Sequence, residues 1–376
     1  MPPISVCIIA KNEEANIGRC LKSIKTYGFE VIVVDTGSTD KTKEIAAEYG
    51  AVLFDFPWIS DFSAAKNFAA SKANNNWILS LDCDEYVTYM ELPKILTMIR
   101  LYPRYVGVLE IENEMLGNSS GPEGTNKRTY TTKLVRLYNR KYNQFVGAIH
   151  EQVVPFGYKE GDDLFSFDIP LKIYHTGYVG TKEQIAAKNK RNIDMLMTAL
   201  ENDPEDAYNY FQLGMTYVAD DDYETACEWF DKGLSFDLEP TLEYVQTMVV
   251  SYGQALLKLG RNEEALNFVG IYDAFCSETD FVYLMGRIYL ANNQPVKALG
   301  EFLTAITMPP GRQQGVNTFL PCYQIAVIYD NMSLNPMGHN DTDNMEIALM
   351  YYKKCGDFAP ALRRLKEIAG QARNDE

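Results

Sequence analysis

The stretch WILSLDCDE, residues 77–85, runs directly from an apolar segment into a cluster of carboxylates. Such a segment predicts a buried strand, so Asp82 and Asp84 should lie at its carboxyl end, where α/β sheets bind ligands. Side chains two residues apart point to the same side of extended backbone. Two hard oxygen ligands on one side suit a divalent cation that bridges a diphosphate, although an acidic, solvated turn would have the same composition. The rest of the N-terminal half decides between these interpretations.

Apolar runs and amphipathic segments alternate from the N-terminus to Leu81. The pattern predicts strands at residues 4–9, 31–34, 51–54 and 77–81, and helices at residues 13–27, 39–49 and 62–72. Repeated β-α-β units require right-handed crossovers and a mostly parallel, Rossmann-like sheet that is covered on both faces. The sequence therefore predicts an α/β N-terminal domain with one ligand-binding edge.

Three polar segments should meet at that edge. They are Ala10–Glu13 (AKNE), Asp35–Asp40 (DTGSTD) and Asp82–Asp84 (DCD), which follow the first, second and fourth predicted strands. No Gly-x-Gly-x-x-Gly follows the first strand, and no Gly-Lys-Ser/Thr occurs. Neither a dinucleotide dehydrogenase nor a P-loop enzyme is supported.

Size and charge restrict the class of protein further. The chain has 376 residues, of which 46% are hydrophobic, enough for two domains at roughly 150 residues each. The net charge of -16 argues against nucleic acid as a partner.

No apolar run approaches the roughly 20 residues that span a bilayer, and the N-terminus has no signal-peptide pattern, so we expect a cytoplasmic protein. The seven scattered cysteines fit reduced thiols better than disulfides or a zinc site.

The second half is helical and contains internal repeats, so we expect domains at residues 1–180 and 181–376. Each copy pairs a small residue with bulky ones at similar spacing. The copies are Gly214, Tyr217, Ala226 and Phe230; Gly253, Leu256 and Ala265; Gly286, Tyr289, Ala298, Phe302 and Pro310; and Ala326, Tyr329, Ala348, Tyr352 and Pro360, the last with an insertion at residues 331–340. They resemble tetratricopeptide repeats, whose concave face would bind peptide. Alternatively, the repeats serve as a rigid spacer or as a self-association surface in a homodimer.

The three edge segments resemble the nucleotide-sugar-binding motifs of family 2 glycosyltransferases with the GT-A fold, and the likeness extends over the whole of the first expected domain. Within that family, Asp61–Asn67 (DFSAAKN) and Val146–Glu151 (VGAIHE) are similar to a subgroup. This subgroup includes bacterial lipopolysaccharide core transferases and the peptide S-glycosyltransferases that modify glycocin bacteriocins. The latter also carry C-terminal helical repeats.

The resemblance implies roles for the edge residues. Those implied to bind the nucleotide sugar are Ala10, Asn12, Glu13, Asp35, Ser38, Lys66 and Asp82. Asp35 would accept the uracil N3–H, or it would merely cap the next helix. Asp82 is assigned to the ribose or to metal-bound water, and Asp84 to a Mn²⁺ or Mg²⁺ ion on the diphosphate. Lys66 would add positive charge to the diphosphate, or it would be a solvated helix residue.

Two of the three histidines occur in distinctive surroundings. In many GT-A enzymes a histidine at the end of the catalytic domain completes the metal sphere, which assigns His175 as a metal ligand. An inverting single displacement needs a base for the acceptor proton, and the candidates are Glu151 and His150, with Glu151 preferred. Either histidine could instead be a satisfied core residue.

The expected activity is therefore metal-dependent transfer of a sugar from a UDP-sugar to a Cys or Ser/Thr side chain of a peptide or protein held by the repeats. A saccharide or lipopolysaccharide acceptor and a non-catalytic repeat scaffold are the alternatives. The chain lacks the Gln-x-x-Arg-Trp motif of processive synthases. A glycine-rich loop at residues 116–127 is expected to be a lid, an acceptor contact or a hairpin tip without a role.

Overall fold

The computed structural model describes residues 1–115, 128–159, 162–176, 182–333 and 342–374. The predicted loop at residues 116–127 and much of the predicted insertion at residues 331–340 lie outside these ranges. The chain divides into two compact units, Met1–Met197 and Thr198–Glu376. The helix Lys182–Asn202 contains this division, and the domain boundary expected at 180/181 stays a prediction.

The first unit combines a large mixed sheet with helices. Its strands are β1 (Ile4–Ala10), β2 (Glu30–Asp35), β3 (Val52–Asp55), β4 (Trp77–Asp82), β5 (Glu85–Met90), β6 (Val106–Met115), β7 (Arg128–Asn139), β8 (Asn143–Val146), β9 (Gln152–Pro155) and β10 (Ser166–His175). Its helices are α1 (Ile17–Ile24), α2 (Thr42–Glu48), α3 (Phe62–Lys72), α4 (Leu92–Leu101) and the first part of α5 (Lys182–Asn202).

Eight strands form one sheet in the order β3-β2-β1-β4-β7-β6-β10-β5, while β8 and β9 form a separate hairpin. The first four strands pair in parallel, as the β-α-β pattern predicts. Strand β7 is antiparallel to β4 and β6, and β5 is antiparallel to β10. Apolar side chains of the central strands, such as Ile8 and Leu81, are fully buried because helices cover the sheet. The predicted GT-A-like α/β class is confirmed.

The register of the parallel strands places the three polar segments together. Ala10, the last residue of β1, pairs with Asp35, the last residue of β2, and Ile9 pairs with Asp82, the last residue of β4. All three strands therefore end at the same edge, and the loops that follow them converge there.

The second unit consists of paired helices. After the end of α5 these are α6 (Ala207–Ala219), α7 (Tyr223–Leu234), α8 (Glu243–Lys258), α9 (Asn262–Ala265), α10 (Tyr272–Phe275), α11 (Thr279–Ala291), α12 (Pro295–Thr307), α13 (Phe319–Ser333), α14 (Thr342–Lys354) and α15 (Ala359–Asn374). Across the described ranges, every helix is too short or too polar to cross a bilayer.

Small residues allow the helices of a repeat to approach closely. A Cβ atom built on Gly214 would lie 2.3 Å from the ring of Phe230, and one on Gly286 would lie 2.5 Å from the ring of Phe302. The spacing noted in the sequence is therefore a packing rule, and the predicted all-α repeats are confirmed. The middle copy departs from the rule, because its second helix is interrupted by the 3-10 segment Leu266–Ile271.

Candidate active site

Asn12 ties the loop after β1 to the loop after β2. Its backbone N–H donates to Ser38 Oγ at 2.9 Å, and its Oδ1 accepts the N–H of Thr39 at 2.8 Å. Asn12 has a φ of 56°, a left-handed conformation that asparagine tolerates better than most residues. The side chain therefore fixes the spacing of the two loops on which a nucleotide would lie.

Asp35 is the last residue of β2 at this edge of the sheet, and its side chain is buried. Its carboxylate accepts the N–H groups of Gly37 at 3.1 Å and Ser38 at 3.0 Å. The alternative prediction that Asp35 caps the next helix is wrong, because α2 begins at Thr42 with Lys41 as its N-cap, and Asp35 closes a local turn instead. A carboxylate has about four acceptor positions, so this contact leaves room for a further donor such as a ring N–H.

Glu13 and Ala10 complete the first loop in different ways. The side chain of Ala10 is buried, and its carbonyl accepts the N–H of Thr36 at 2.9 Å. Glu13 is held by its N–H, which donates to Thr42 Oγ1 at 2.7 Å. Burial raises the pKa of Glu13, and the nearby charge of Asp84 adds to the rise. The carboxyl group of Glu13 therefore faces the same edge as Asp84.

Asp84 and His175 meet although they are far apart in the sequence. Asp84 Oδ2 lies 3.3 Å from His175 Nε2. The backbone supports this contact, because the N–H of Thr176 donates to the carbonyl of Asp84 at 3.1 Å. Arg19 adds a further tie, since its Nη2 donates to Thr176 Oγ1 at 2.6 Å and its guanidinium lies 4.6 Å from the centre of the Tyr86 ring.

Asn113 fixes the tautomer of His175. The Nδ2 group of Asn113 donates to the carbonyl of Ile111 at 3.2 Å and to Thr132 Oγ1 at 3.0 Å, so its Oδ1 faces His175 Nδ1 at 2.9 Å. Nδ1 therefore carries a proton, and Nε2 faces Asp84. Burial lowers the pKa of His175, but the hydrogen bond to Asp84 outweighs this effect and the net pKa is raised. Nε2 thus carries a second proton when it donates to Asp84, and it would be unprotonated when it binds a cation.

A carboxylate oxygen and an imidazole nitrogen at this spacing suit a cation such as Mn²⁺. Over the part of the chain that the structure describes, no group of three His, Cys, Asp or Glu side chains could hold a metal ion by itself. This donor set fits an ion that takes its remaining ligands from phosphate and water, as Mg²⁺ commonly does beside one or two carboxylates.

Asp82 belongs to a chain of five alternating charges, Glu151–Lys66–Asp82–Arg136–Glu85. Lys66 Nζ lies 2.7 Å from Glu151 Oε1 and 3.1 Å from Asp82 Oδ1. Arg136 Nη2 lies 2.8 Å from Asp82 Oδ2 and 2.7 Å from Glu85 Oε1. Each oxygen of Asp82 therefore faces one cation, and Glu85 also accepts the N–H of Asp82 at 2.9 Å.

The charge chain is largely buried; its central members Lys66, Asp82 and Arg136 are held in their charged forms, whereas burial raises the pKa of Glu85. Burial would raise the pKa of Asp82, but Arg136 and Lys66 outweigh this effect and hold it well below its usual range. Burial lowers the pKa of Lys66, yet the attraction of Asp82 and Glu151 leaves the net pKa raised. Only 5% of the Lys66 side chain is exposed. The interpretation of Lys66 as a solvated helix residue is therefore wrong.

Glu151 and His150 follow a tight turn that is attached to α3. Gly147 and His150 have φ angles of 95° and 53°. The carbonyl of Ala148, between them, accepts the N–H of Phe62 at 2.8 Å. The surrounding protein desolvates His150 and lowers its pKa, against the charge of Glu151. Of the two base candidates, Glu151 is the member of the charge chain, through its contact with Lys66.

The sequence predicts no role for four residues at this edge: Arg19, Glu85, Asn113 and Arg136. Glu85 belongs to the acidic cluster quoted from the sequence, directly after Asp84. Arg136 and Asn113 are polar residues within strands, and a polar residue within a strand normally indicates a solvent-facing position. Their sites can be recognised only once β7, β6 and β10 are known to be neighbours.

Two family models match the chain. Residues 5–153 match Glycosyl transferase family 2, and residues 195–228 match a tetratricopeptide repeat. Residues 5–153 therefore resemble family 2 glycosyltransferases and are followed by tetratricopeptide-like repeats, so the resemblance predicted from the sequence is confirmed.

Three relatives extend this likeness. A TPR repeat-containing protein of Synechococcus elongatus is 30% identical over 246 residues, which are 65% of this chain and 60% of that protein. The SPbeta prophage-derived glycosyltransferase SunS of Bacillus subtilis is 28% identical over 242 residues, 62% of this chain and 54% of that protein. An uncharacterized glycosyltransferase of Rickettsia typhi is 36% identical over 158 residues, 41% of this chain and 53% of that protein. The chain thus spans between about half and three-fifths of the length of these relatives.

Among solved structures, the crystal structure of S. aureus TarS is similar to this chain with a TM-score of 0.33 and 16% sequence identity. The similar region covers 93% of this chain and 55% of the TarS chain.

Proposed function

We propose that the protein is an inverting glycosyltransferase that moves a sugar from a UDP-sugar to a Cys or Ser/Thr side chain of a peptide or protein. The observation that carries the proposal is the contact between Asp84 and His175 at the edge where the nucleotide-sugar motifs converge. The glycosyl transferase family 2 match supports glycosyl transfer. The donor, the metal and the acceptor are the proposed parts.

Asp84 Oδ2 and His175 Nε2 would hold the metal, Mn²⁺ or Mg²⁺. When bound, the ion would stabilise the negative charge that accumulates on the departing diphosphate. The protein supplies the rest of the site. Asn113 orients the imidazole, and the loops joined by Asn12 and Ser38 would bind the nucleotide, with Asp35 facing the uracil ring.

Glu151 is the proposed base, with His150 as the runner-up. The attacking group must lose its proton as it approaches the anomeric carbon. Glu151 Oε1 faces Lys66, while the structure assigns no partner to Oε2 among the described residues. Oε2 is therefore the atom that would accept the proton. A thiol acceptor depends on this step less than a hydroxyl does, because its pKa of about 8.5 is closer to neutrality.

The helical repeats support a polypeptide acceptor. A rigid stack of paired helices, held by contacts such as Gly214 against Phe230, offers a surface for a peptide rather than a pocket for one sugar. The resemblance of residues 61–67 and 146–151 to a subgroup that includes peptide S-glycosyltransferases agrees with this acceptor class, and the likeness to the glycosyltransferase SunS supports glycosyl transfer. A location in the cytoplasm and a homodimer held by the repeats remain part of the proposal.

The test is metal-dependent UDP release. The purified chain is incubated with Mn²⁺, a panel of UDP-sugars and candidate acceptor peptides that contain Cys or Ser/Thr. UDP release and the peptide mass are then measured. We expect one donor to be consumed, with a matching gain in peptide mass. Asp84→Ala should abolish both with little loss of folding, because the side chain lies outside the packed core.

The matched control is Asp168→Ala, since Asp168 is an exposed aspartate of the same unit that pairs with Lys133 at 3.0 Å. This variant should retain full turnover. Transfer to a saccharide but not to a peptide would favour the lipopolysaccharide-type acceptor. If the wild-type protein did not bind UDP in the presence of Mn²⁺, the glycosyltransferase proposal would be overturned. A non-catalytic scaffold that works through its repeats would then be favoured.

A further inference from the structure

Helix α3 is attached to the segment that carries Glu151. At the start of the helix, the N–H of Phe62 donates to the carbonyl of Ala148 at 2.8 Å. One turn later, the carboxamide of Asn67 pairs with the backbone of Phe145: its Nδ2 donates to the carbonyl at 2.8 Å, and its Oδ1 accepts the N–H at 2.9 Å. The helix therefore holds both sides of the turn that leads to Glu151.

Lys66 lies between these two attachment points. Its ammonium contacts Glu151 at 2.7 Å and Asp82 at 3.1 Å, and it lies 5.3 Å from the centre of the Phe145 ring. Asp82 ends β4 at the donor edge, whereas Glu151 follows the β8 strand. One buried side chain thus connects the donor edge to the proposed base.

Because Lys66 is buried, its contacts with Asp82 and Glu151 are difficult to break. A buried ammonium is strongly disfavoured unless anions compensate it, so Lys66 cannot leave both carboxylates without a large penalty. Asp82 cannot easily follow a displaced Lys66, because Arg136 holds its second oxygen at 2.8 Å. The position of Glu151 is therefore set relative to a fixed point on the donor side.

We propose that Lys66 is a positioning residue that holds the base Glu151 at a fixed distance from the donor site through Asp82. This inference rests on the proposed function. It also gives Lys66 a role different from a direct contact with the donor diphosphate, since both of its ion-pair partners are protein carboxylates.

The variants are Lys66→Met, which keeps an unbranched side chain one atom shorter and removes the charge, and Lys66→Arg, which keeps the charge. Lys72→Met is the matched control. Lys72 is the last residue of the same helix, and its ammonium lies over the rings of Phe68 and Phe54, away from the charge chain. Thermal unfolding of each variant checks that the fold is retained.

We expect Lys66→Met to lower turnover at least about tenfold, because proton transfer by a side chain contributes 10²–10⁴-fold and Glu151 would no longer be fixed. Metal-dependent UDP affinity, measured by calorimetry, should stay within about threefold, since Arg136 still holds Asp82. Lys66→Arg should recover part of the turnover, and Lys72→Met should behave like the wild type. A loss of UDP affinity as large as the loss of turnover would overturn the inference in favour of a diphosphate contact.

A second readout does not depend on activity. The charged groups that face Glu151 are Lys66 from α3, Arg136 from β7 and the neighbouring His150. Unfolding free energies of wild type, Lys66→Met, Glu151→Gln and the double variant form a double-mutant cycle. Because Lys66 Nζ contacts Glu151 Oε1 at 2.7 Å, we expect the effects of the two single substitutions not to add.

The two readouts separate the two proposals. If wild-type protein shows no transfer but the double-mutant cycle shows coupling between Lys66 and Glu151, the glycosyltransferase proposal fails while the ion pair stands. If transfer occurs but folded Lys66→Met keeps full turnover and the cycle shows no coupling, the positioning role of Lys66 is overturned and the glycosyltransferase proposal stands.

Discussion

The amide oxygen of Asn113 lies 2.9 Å from Nδ1 of His175, and this contact decides which ring nitrogen faces Asp84. The two residues belong to neighbouring parallel strands, β6 and β10, and occupy paired positions. Mutation of a group that orients a metal-ligating histidine typically lowers metal affinity about 10–100-fold.

Asn113→Leu should therefore weaken the proposed metal site. We expect the Mn²⁺ concentration needed for UDP binding to rise about 10–100-fold, because such partners are worth that much in metal affinity. Calorimetric titration of UDP at several Mn²⁺ concentrations measures the effect. Asn113→Asp keeps an acceptor opposite Nδ1 and is expected to lose less. Equal Mn²⁺ dependence in folded Asn113→Leu and wild type would exclude this role.

Glu151→Gln should lower turnover while metal-dependent UDP binding is retained. The amide cannot accept the acceptor proton as the carboxylate does, and a general base typically contributes 10²–10⁴-fold. We expect the loss to lie in that range for a hydroxyl acceptor and to be smaller for a thiol. Steady-state turnover and UDP calorimetry are compared on the same preparation. Undiminished turnover would remove Glu151 as the base and leave His150.

Asp330 should make the stability of the repeats depend on pH. It accepts hydrogen bonds from Arg364 Nε at 2.7 Å, Arg364 Nη2 at 3.0 Å and Tyr352 at 2.9 Å. Burial raises the pKa of Asp330, but these hydrogen bonds lower it by more. A depressed carboxyl pKa stabilises the fold above the ordinary value of about 3.9, and this contribution is lost as the pH falls through the lower folded-state pKa.

We therefore expect Asp330→Asn to cost about 1–3 kcal/mol of unfolding free energy at pH 7, as hydrogen bonds to charged groups do. The cost should shrink as the pH is lowered below about 4. Urea unfolding at a series of pH values measures it. Asp357→Asn, at an exposed aspartate of the same unit, is the control and should change little. A pH-independent difference would contradict the assignment to the ionised carboxylate.

Gly214→Ala should destabilise the repeats, whereas Gly300→Ala should not. The new methyl group at position 214 would lie 2.3 Å from the Phe230 ring, while nothing lies within 4 Å of one at position 300. Overpacking costs about 1–3 kcal/mol. Alanine in an open helix position gains up to about 1 kcal/mol over glycine. Differential scanning calorimetry should show shifts of the melting temperature in opposite directions. A shift in the same direction for both variants would contradict the packing rule.

The sequence predicts the parallel half of the sheet and the repeats well, because both leave short-range patterns. Helix α3 begins and ends where it was predicted, at residues 62 and 72. The acid pair at the end of β4 also lies at the predicted edge. Each of these features depends on periodicity within a few residues or on the end of one strand.

The antiparallel strands and the polar contacts within the site could not be predicted from the sequence. Strand β5 pairs with β10, which is distant in the sequence, and no local pattern encodes that choice. Lys66 shows why side-chain roles could not be predicted. On an isolated helix it would be solvated, and only the turn between β8 and Glu151, folded over α3, makes it a buried bridge.

The position of β5 at the outer edge of the large sheet has a consequence for synthesis on the ribosome. Among the described strands its sheet neighbour is β10, which supplies His175, so β5 stays unpaired until residues 166–175 have emerged. Asp84 is made early, but its imidazole partner arrives only with β10, the last strand of the described sheet. A nascent chain therefore cannot assemble this contact before β10 has been translated, and the proposed cation site would be completed only when β10 joins the sheet.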